Sequence, residues 1–288
     1  MNKHFLLTAT AIFLSGCVSK SVHYNEAWSK AKNLTNTAGM SFQIHDQQLP
    51  ETAYNKEGQL MDYKLSGISH PAYGGASGIA GVSIAPYGAY ESFYWGWGVP
   101  GASHRKHHRL FAWMPENQAM DEMHARQVLE NLVVKMSTMV LQEMQYQLQP
   151  VKTPFIHMGL PFQQWYLERS DGQCSFEQMN CMLSVYIPEP IGPVITPPFS
   201  YYATAGQNAW LFHVADEQRY PRVALTQGDG LKSMEENVFY QKLSARMPGW
   251  AYLYLAPAEV GIGDKNKTIG YPYLLEKGKP LLFVRPVR

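Results

Sequence analysis

Charge is scarce in this sequence. Only 16% of its 288 residues are Asp, Glu, Lys or Arg, against ~25% in an average globular chain. Disordered chains usually run the other way, so a folded chain with a sizeable core is expected. The charges also balance, at a formal net of +1. No global field therefore selects nucleic acid or an acidic surface as partner. Cysteine is scarcer still, at three residues, and none stands in the C-x-x-C spacing of a redox pair. No apolar run reaches the ~20 residues needed to cross a bilayer as a helix. Familiar catalytic signatures are missing as well: there is no H-E-x-x-H and no kinase set. Gly75-Ala76-Ser77-Gly78 is followed by Ile79 where a nucleophile elbow needs Gly. No G-K-[ST] ends a phosphate loop. Internal repeats and heptads are absent, and nothing points to a cofactor.

What is present begins at residue one. Met1 to His4 is short and polar with one Lys, and Phe5 to Leu14 is mostly apolar and uncharged. Small residues follow, ahead of Cys17. This layout predicts a secretory signal peptide over residues 1–16. Leu14-Ser15-Gly16-Cys17 resembles the lipobox of bacterial lipoproteins. The resemblance covers residues 1–17 alone. It implies cleavage before Cys17, diacylglycerol on its thiol and acylation of the new amine; several acyl chains make a stable anchor where one is marginal. Val18-Ser19 stands where the class carries Asp for inner-membrane retention. The implied place is the outer membrane, facing the periplasm, with residues 17–26 as a lipidated tether; the resemblance carries nothing about the fold of residues 27–288, which the pattern of helices and strands below makes one α+β domain. Export takes one basic residue, Lys3, and no acid from the chain, so the remainder is neutral in sum.

Cys174 and Cys181 are then the remaining thiols, in a chain bound for an oxidising compartment, and a disulfide between them is expected.

Residues 67–102 form the most unusual tract. They are crowded with glycine, and from Pro71 to Pro100 the only charge is Glu91. Tyr87, Tyr90, Phe93, Tyr94, Trp95 and Trp97 follow the small residues closely. Two readings stand: a segment that packs against membrane or partner, and a Gly-rich loop folded over the domain's own core. Pro86 and Pro100 favour the loop. The next run is Ser103-His104-Arg105-Lys106-His107-His108-Arg109. His binds metals, and Arg and Lys bind phosphates. The run is either a contact for lipid phosphates or a metal, or a solvated loop before a strand, and the loop is favoured.

Leu110-Phe111-Ala112-Trp113-Met114 predicts a buried strand. Residues 116–148 hold no Gly or Pro, and Leu129, Leu132, Val133, Met136, Met139, Val140 and Met144 recur at helical spacing. One long amphipathic helix over 116–148 is expected. Asn25 is placed to cap a short helix over residues 26–34. The apolar runs 162–167 and 182–187 predict a hairpin with the disulfide across its neck. The prolines from Pro188 to Pro198 predict an extended connector. Ser233 with Glu236 makes a capping box, so a second helix is expected over 233–247. Strands are expected near 209–214, 222–226, 250–255 and 280–285, and the 222–255 unit, strand then helix then strand, resembles half of a mixed sheet. The fold class is therefore α+β, with a mixed or antiparallel sheet.

His213 and Asp216 lie close in sequence, and Asp171, Asp216 and Glu217 are scattered acids, none in a recognisable catalytic pattern. The function expected is a non-catalytic accessory or assembly component of an envelope structure, with other envelope proteins as partners. A hydrolase of envelope glycan or peptide is the alternative. Lipid-phosphate or metal binding through residues 104–109 is the third.

Overall fold

A strand with apolar residues on both faces belongs in the middle of a sheet. Strand β1 (Arg109–Pro115) holds that place, and every residue in it is buried. The structure, a computed structural model, describes residues 24–40, 44, 46, 108–200, 203–215, 219–227, 233–256 and 272–284. The expected signal peptide, Cys17, the tract at 67–102 and His104 to His107 lie outside the described residues.

Among the described residues, two larger antiparallel sheets and three α-helices make an α+β fold. The larger sheet adds β7 (Ile191–Ile195), β8 (Asn208–Phe212), β10 (Ala251–Leu255), β11 (Tyr273–Glu276) and β12 (Lys279–Leu282), in the order β12-β11-β10-β1-β8-β7. The smaller contains β2 (Gln147–Pro150), β5 (Gln163–Glu168), β6 (Cys181–Tyr186) and β9 (Arg222–Gln227), in the order β2-β5-β6-β9. A separate two-residue pair, β3 (Ile156–His157) and β4 (Leu160–Pro161), forms a small hairpin. The 222–255 unit is not half of one mixed sheet: β9 and β10 lie in different sheets, and all pairings among the described residues are antiparallel.

The period of two along β1 divides the core. Leu110, Ala112 and Met114 join a cluster with Leu253, Phe212 and the smaller sheet's Leu183 and Val223. Helices α2 (Glu122–Glu143) and α3 (Ser233–Arg246) supply Leu129, Val133, Val140, Phe239 and Leu243 to it. Phe111 and Trp113 face the other way, toward Tyr252, Tyr254 and helix α1 (Lys30–Thr37). Phe111 and Tyr252 stack at 5.3 Å between centroids.

The long helix is shorter than expected at both ends. Pro115 closes β1, Glu116–Gln118 form a single 3-10 turn, and the Asp121 carboxylate caps the helix by accepting from the His124 N–H at 2.7 Å. At the far end Gln145 takes φ 65°. Tyr146 N–H then reaches Leu141 O at 2.9 Å, and Gln145 N–H reaches Gln142 O at 3.0 Å. This is a Schellman closure with Gln where Gly is usual. Of the expected stripe, Leu129, Val133 and Val140 are buried, whereas Met139 is exposed. Helix α1 likewise starts later than expected. Ser29 is its cap, and Asn25 Oδ1 accepts from Ala27 N–H in the turn before it. At its C-terminus Gly39 takes φ 97° in the same closure, with Met40 N–H donating to Thr35 O. The proline-rich stretch is a strand in part. Strand β7 contains Pro193 and forms an edge, bulged between Ile191 and Val194, the place where a missing N–H is tolerated.

The hairpin β5–β6 pairs Gln163 with Val185 through Tyr166 with Met182, and the Cys174–Cys181 disulfide closes its loop. Arg169 braces the same loop, donating to the Tyr146 hydroxyl, to Gln173 and to the Asp171 carboxylate. That bond holds the exposed Asp171 carboxyl below the usual carboxylate range.

Candidate functional site

The chain leaves the smaller sheet at Tyr186 and enters the larger one at Ile191. Between them lies Ile187-Pro188-Glu189-Pro190. Pro188 and Pro190 are buried, and Glu189 between them is exposed. The cause is local. Proline fixes its own φ, and a residue before proline is held extended, so successive side chains point to opposite sides.

A cleft of about 370 Å³ opens at this crossing. One wall is the β3–β4 turn, Met158-Gly159, with φ of 51° and 83°. Two consecutive positive φ values give the tight hairpin turn that matches strand twist. The hairpin is seated by an aromatic group: Phe162 stacks on Tyr186 at 4.9 Å, and His157 meets Tyr186 edge-on at 5.3 Å. Tyr186, Pro188, Glu189 and Pro190 line the other side, and His213 and Arg219 complete the lining. His213 follows β8, and Arg219 precedes β9. The cleft thus draws on the ends of strands from both sheets. His213 Nδ1 accepts from Ala215 N–H at 3.3 Å, so a neutral ring carries its proton on Nε2.

Below β9's entry, two arginines lie over one ring. The Arg109 and Arg222 guanidinium carbons stand 4.1 and 3.8 Å from the Tyr220 centroid, and all three residues are buried. Arg109 also donates to Val214 O at 2.9 Å. Guanidinium groups stack on aromatic faces in this way because they are planar and weakly hydrated.

The basic run singled out in the sequence is described only at its end. His108 and Arg109 turn to opposite faces of the larger sheet. His108 faces α3, and Arg109 packs on Tyr220. Arg109 is 3% exposed. These two residues do not form a shared exposed surface. His124 engages its own helix start, its Nδ1 accepting from Met120 N–H at 3.2 Å. Asp171 is bound to Arg169, and Asp216 and Glu217 lie outside the described residues. Among the described residues no group of three or more His, Cys, Asp or Glu side chains is placed to hold a metal ion. No helix among them is long and apolar enough to cross a membrane.

Sequence reasoning did not single out Glu189, Arg219 or Tyr186. The one local signal was Pro-Glu-Pro, which forces an acid outward between two buried rings. Compared with known proteins, the chain matches no family model, no curated protein and no solved structure.

Proposed function

We propose that this protein is a lipid-anchored component of the bacterial outer membrane. On this reading it acts by contact with other envelope proteins rather than by catalysis. The observation that carries the reading is Leu14-Ser15-Gly16-Cys17, set directly after a short uncharged apolar run at the start of the chain. The Cys174–Cys181 disulfide supports it, since such bonds persist in oxidising compartments. Strand β7 adds apolar surface at a sheet edge, with Ile191 50% and Ile195 56% exposed. Its bulge and Pro193 guard that edge against indiscriminate strand pairing.

The test is metabolic labelling with palmitate in cells, comparing the native chain with Cys17→Ser. The native protein should carry label and fractionate with the outer membrane; the variant should lose both. Crosslinking in intact cells should then recover a defined set of envelope proteins. An unlabelled native chain would sink the anchor, and recovery of the protein alone would sink the assembly role.

A further inference from the structure

Glu189 and Arg219 line one cleft with opposite charges. Neither forms an ion pair or a side-chain hydrogen bond among the described residues, with each other or with a third group. Opposite charges therefore face one cleft without neutralising each other.

The arrangement sorts ligands by charge. A purely anionic group drawn to Arg219 meets the carboxylate of Glu189. A metal or simple amine drawn to Glu189 meets the guanidinium. An uncharged ligand leaves both groups with no charge partner. A ligand with charges of both signs, set apart on one small frame, complements both ends. We propose that this cleft binds a zwitterion, a free amino acid or short peptide, with its carboxylate toward Arg219 and its ammonium toward Glu189. Guanidinium is the side chain best matched to carboxylate geometry. Met158, Leu160 and Pro188 give apolar lining for a short aliphatic side chain. The volume of about 370 Å³ lies near the floor of the ~300–1,000 Å³ range of ligand pockets, which suits one or two residues rather than a long chain.

This inference stands apart from the membrane anchor and goes beyond the proposed contact role. Calorimetric titration of the full-length lipoprotein in detergent, with L-alanyl-L-alanine as probe, tests it. Saturable binding is expected, weakened roughly three- to tenfold by N-acetylation and by C-amidation alike, the scale of a partly exposed charge pair. Arg219→Gln should remove the response to amidation, and Glu189→Gln the response to acetylation. Both side chains are exposed, and an unchanged thermal melt will show that each variant folds. The D-alanyl-D-alanine probe tells a ligand of cell-wall type from one derived from protein, and binding of either supports the proposal. No saturable binding of either peptide overturns it. So does binding indifferent to both caps, or sensitive to one cap alone.

Discussion

The imidazole of His108 meets the carboxylate of Glu236 at 3.2 Å, across 128 positions of sequence. Its other nitrogen, Nδ1, accepts from Ala256 N–H at 3.0 Å, and its ring lies edge-on to Tyr240 at 4.6 Å. Both ring nitrogens are thus committed, which makes this histidine a brace between the start of β1, the end of β10 and helix α3. His108→Ala should destabilise the fold by about 1–3 kcal/mol, the cost of leaving partly buried partners unmade. Glu236→Gln keeps an acceptor and should cost less. Urea denaturation of the two variants gives the comparison.

Glu236 also acts on a tyrosine. The Tyr273 phenol is pushed up from 10.0 to about 12, by burial first and by the Glu236 charge second. Removing that charge should lower the Tyr273 value part of the way, because burial remains. Absorbance titration of tyrosinate in Glu236→Gln measures it. The linked stability has a definite sign. A phenol that holds its proton more tightly when folded contributes stability that is present below pH 10.0 and lost as pH rises toward about 12. The native protein should therefore weaken in alkali over that window.

Glu130 on α2 is 8% exposed, and burial raises its carboxyl above the ordinary 4.5 against the opposing pull of Arg126. Ionising it works against the fold as pH rises through the raised value. Glu130→Gln should thus range from neutral to about 1 kcal/mol more stable at neutral pH. That advantage should shrink as pH falls toward 4.5. Melting temperatures of both proteins across that range decide it.

Helix ends offer a paired test. Gly39 closes α1 at φ 97°, and a Cβ there would stand 2.5 Å from the Ala215 Cβ. Gly39→Ala should cost about 2 kcal/mol or more, since strain and overlap add. Gln145 closes α2 at φ 65° with its side chain exposed. Gln145→Gly should stabilise by about 0.5–1 kcal/mol. Opposite signs from the two substitutions would establish both closures.

Replacing Cys174 and Cys181 together by Ala should cost about 2 kcal/mol, the loop-entropy value for a bridge spanning 7 positions. Arg169 and Asn180 hold the same loop by hydrogen bonds, so β5 and β6 should remain paired. Denaturation with and without reductant will show whether the loss is confined to the loop.

Strong periodicity makes much of the fold legible in the sequence itself. Strand β1, the β5–β6 hairpin, helix α3 and strand β10 each carry an apolar pattern or turn signal that local sequence alone determines. The misses have local causes too. Helix α2 ends at a glutamine where glycine would have marked the stop. Strand β7 was hidden by Pro193, which only an edge position permits. Strand β11 turns into β12 at Lys277-Gly278, with φ of 52° and 77°, a tight turn without the usual Asn or Asp signal. The cleft was least legible. Glu189 and Arg219 are 30 positions apart, and only the passage of the chain between two sheets brings them to one place.

Strand β1 has a further consequence, for the order in which the molecule can be built. Its two neighbours are Ala209–Phe212 on one side and Ala251–Tyr254 on the other. A chain emerging from its N-terminus presents this segment, apolar from Leu110 to Pro115, long before either flank exists. Contacts so distant in sequence form slowly, because a large loop must close before they are rewarded. The central strand is therefore completed almost last. Until residue 254 has emerged, residues 109–115 lack at least one of the two strands that cover their backbone in the finished sheet.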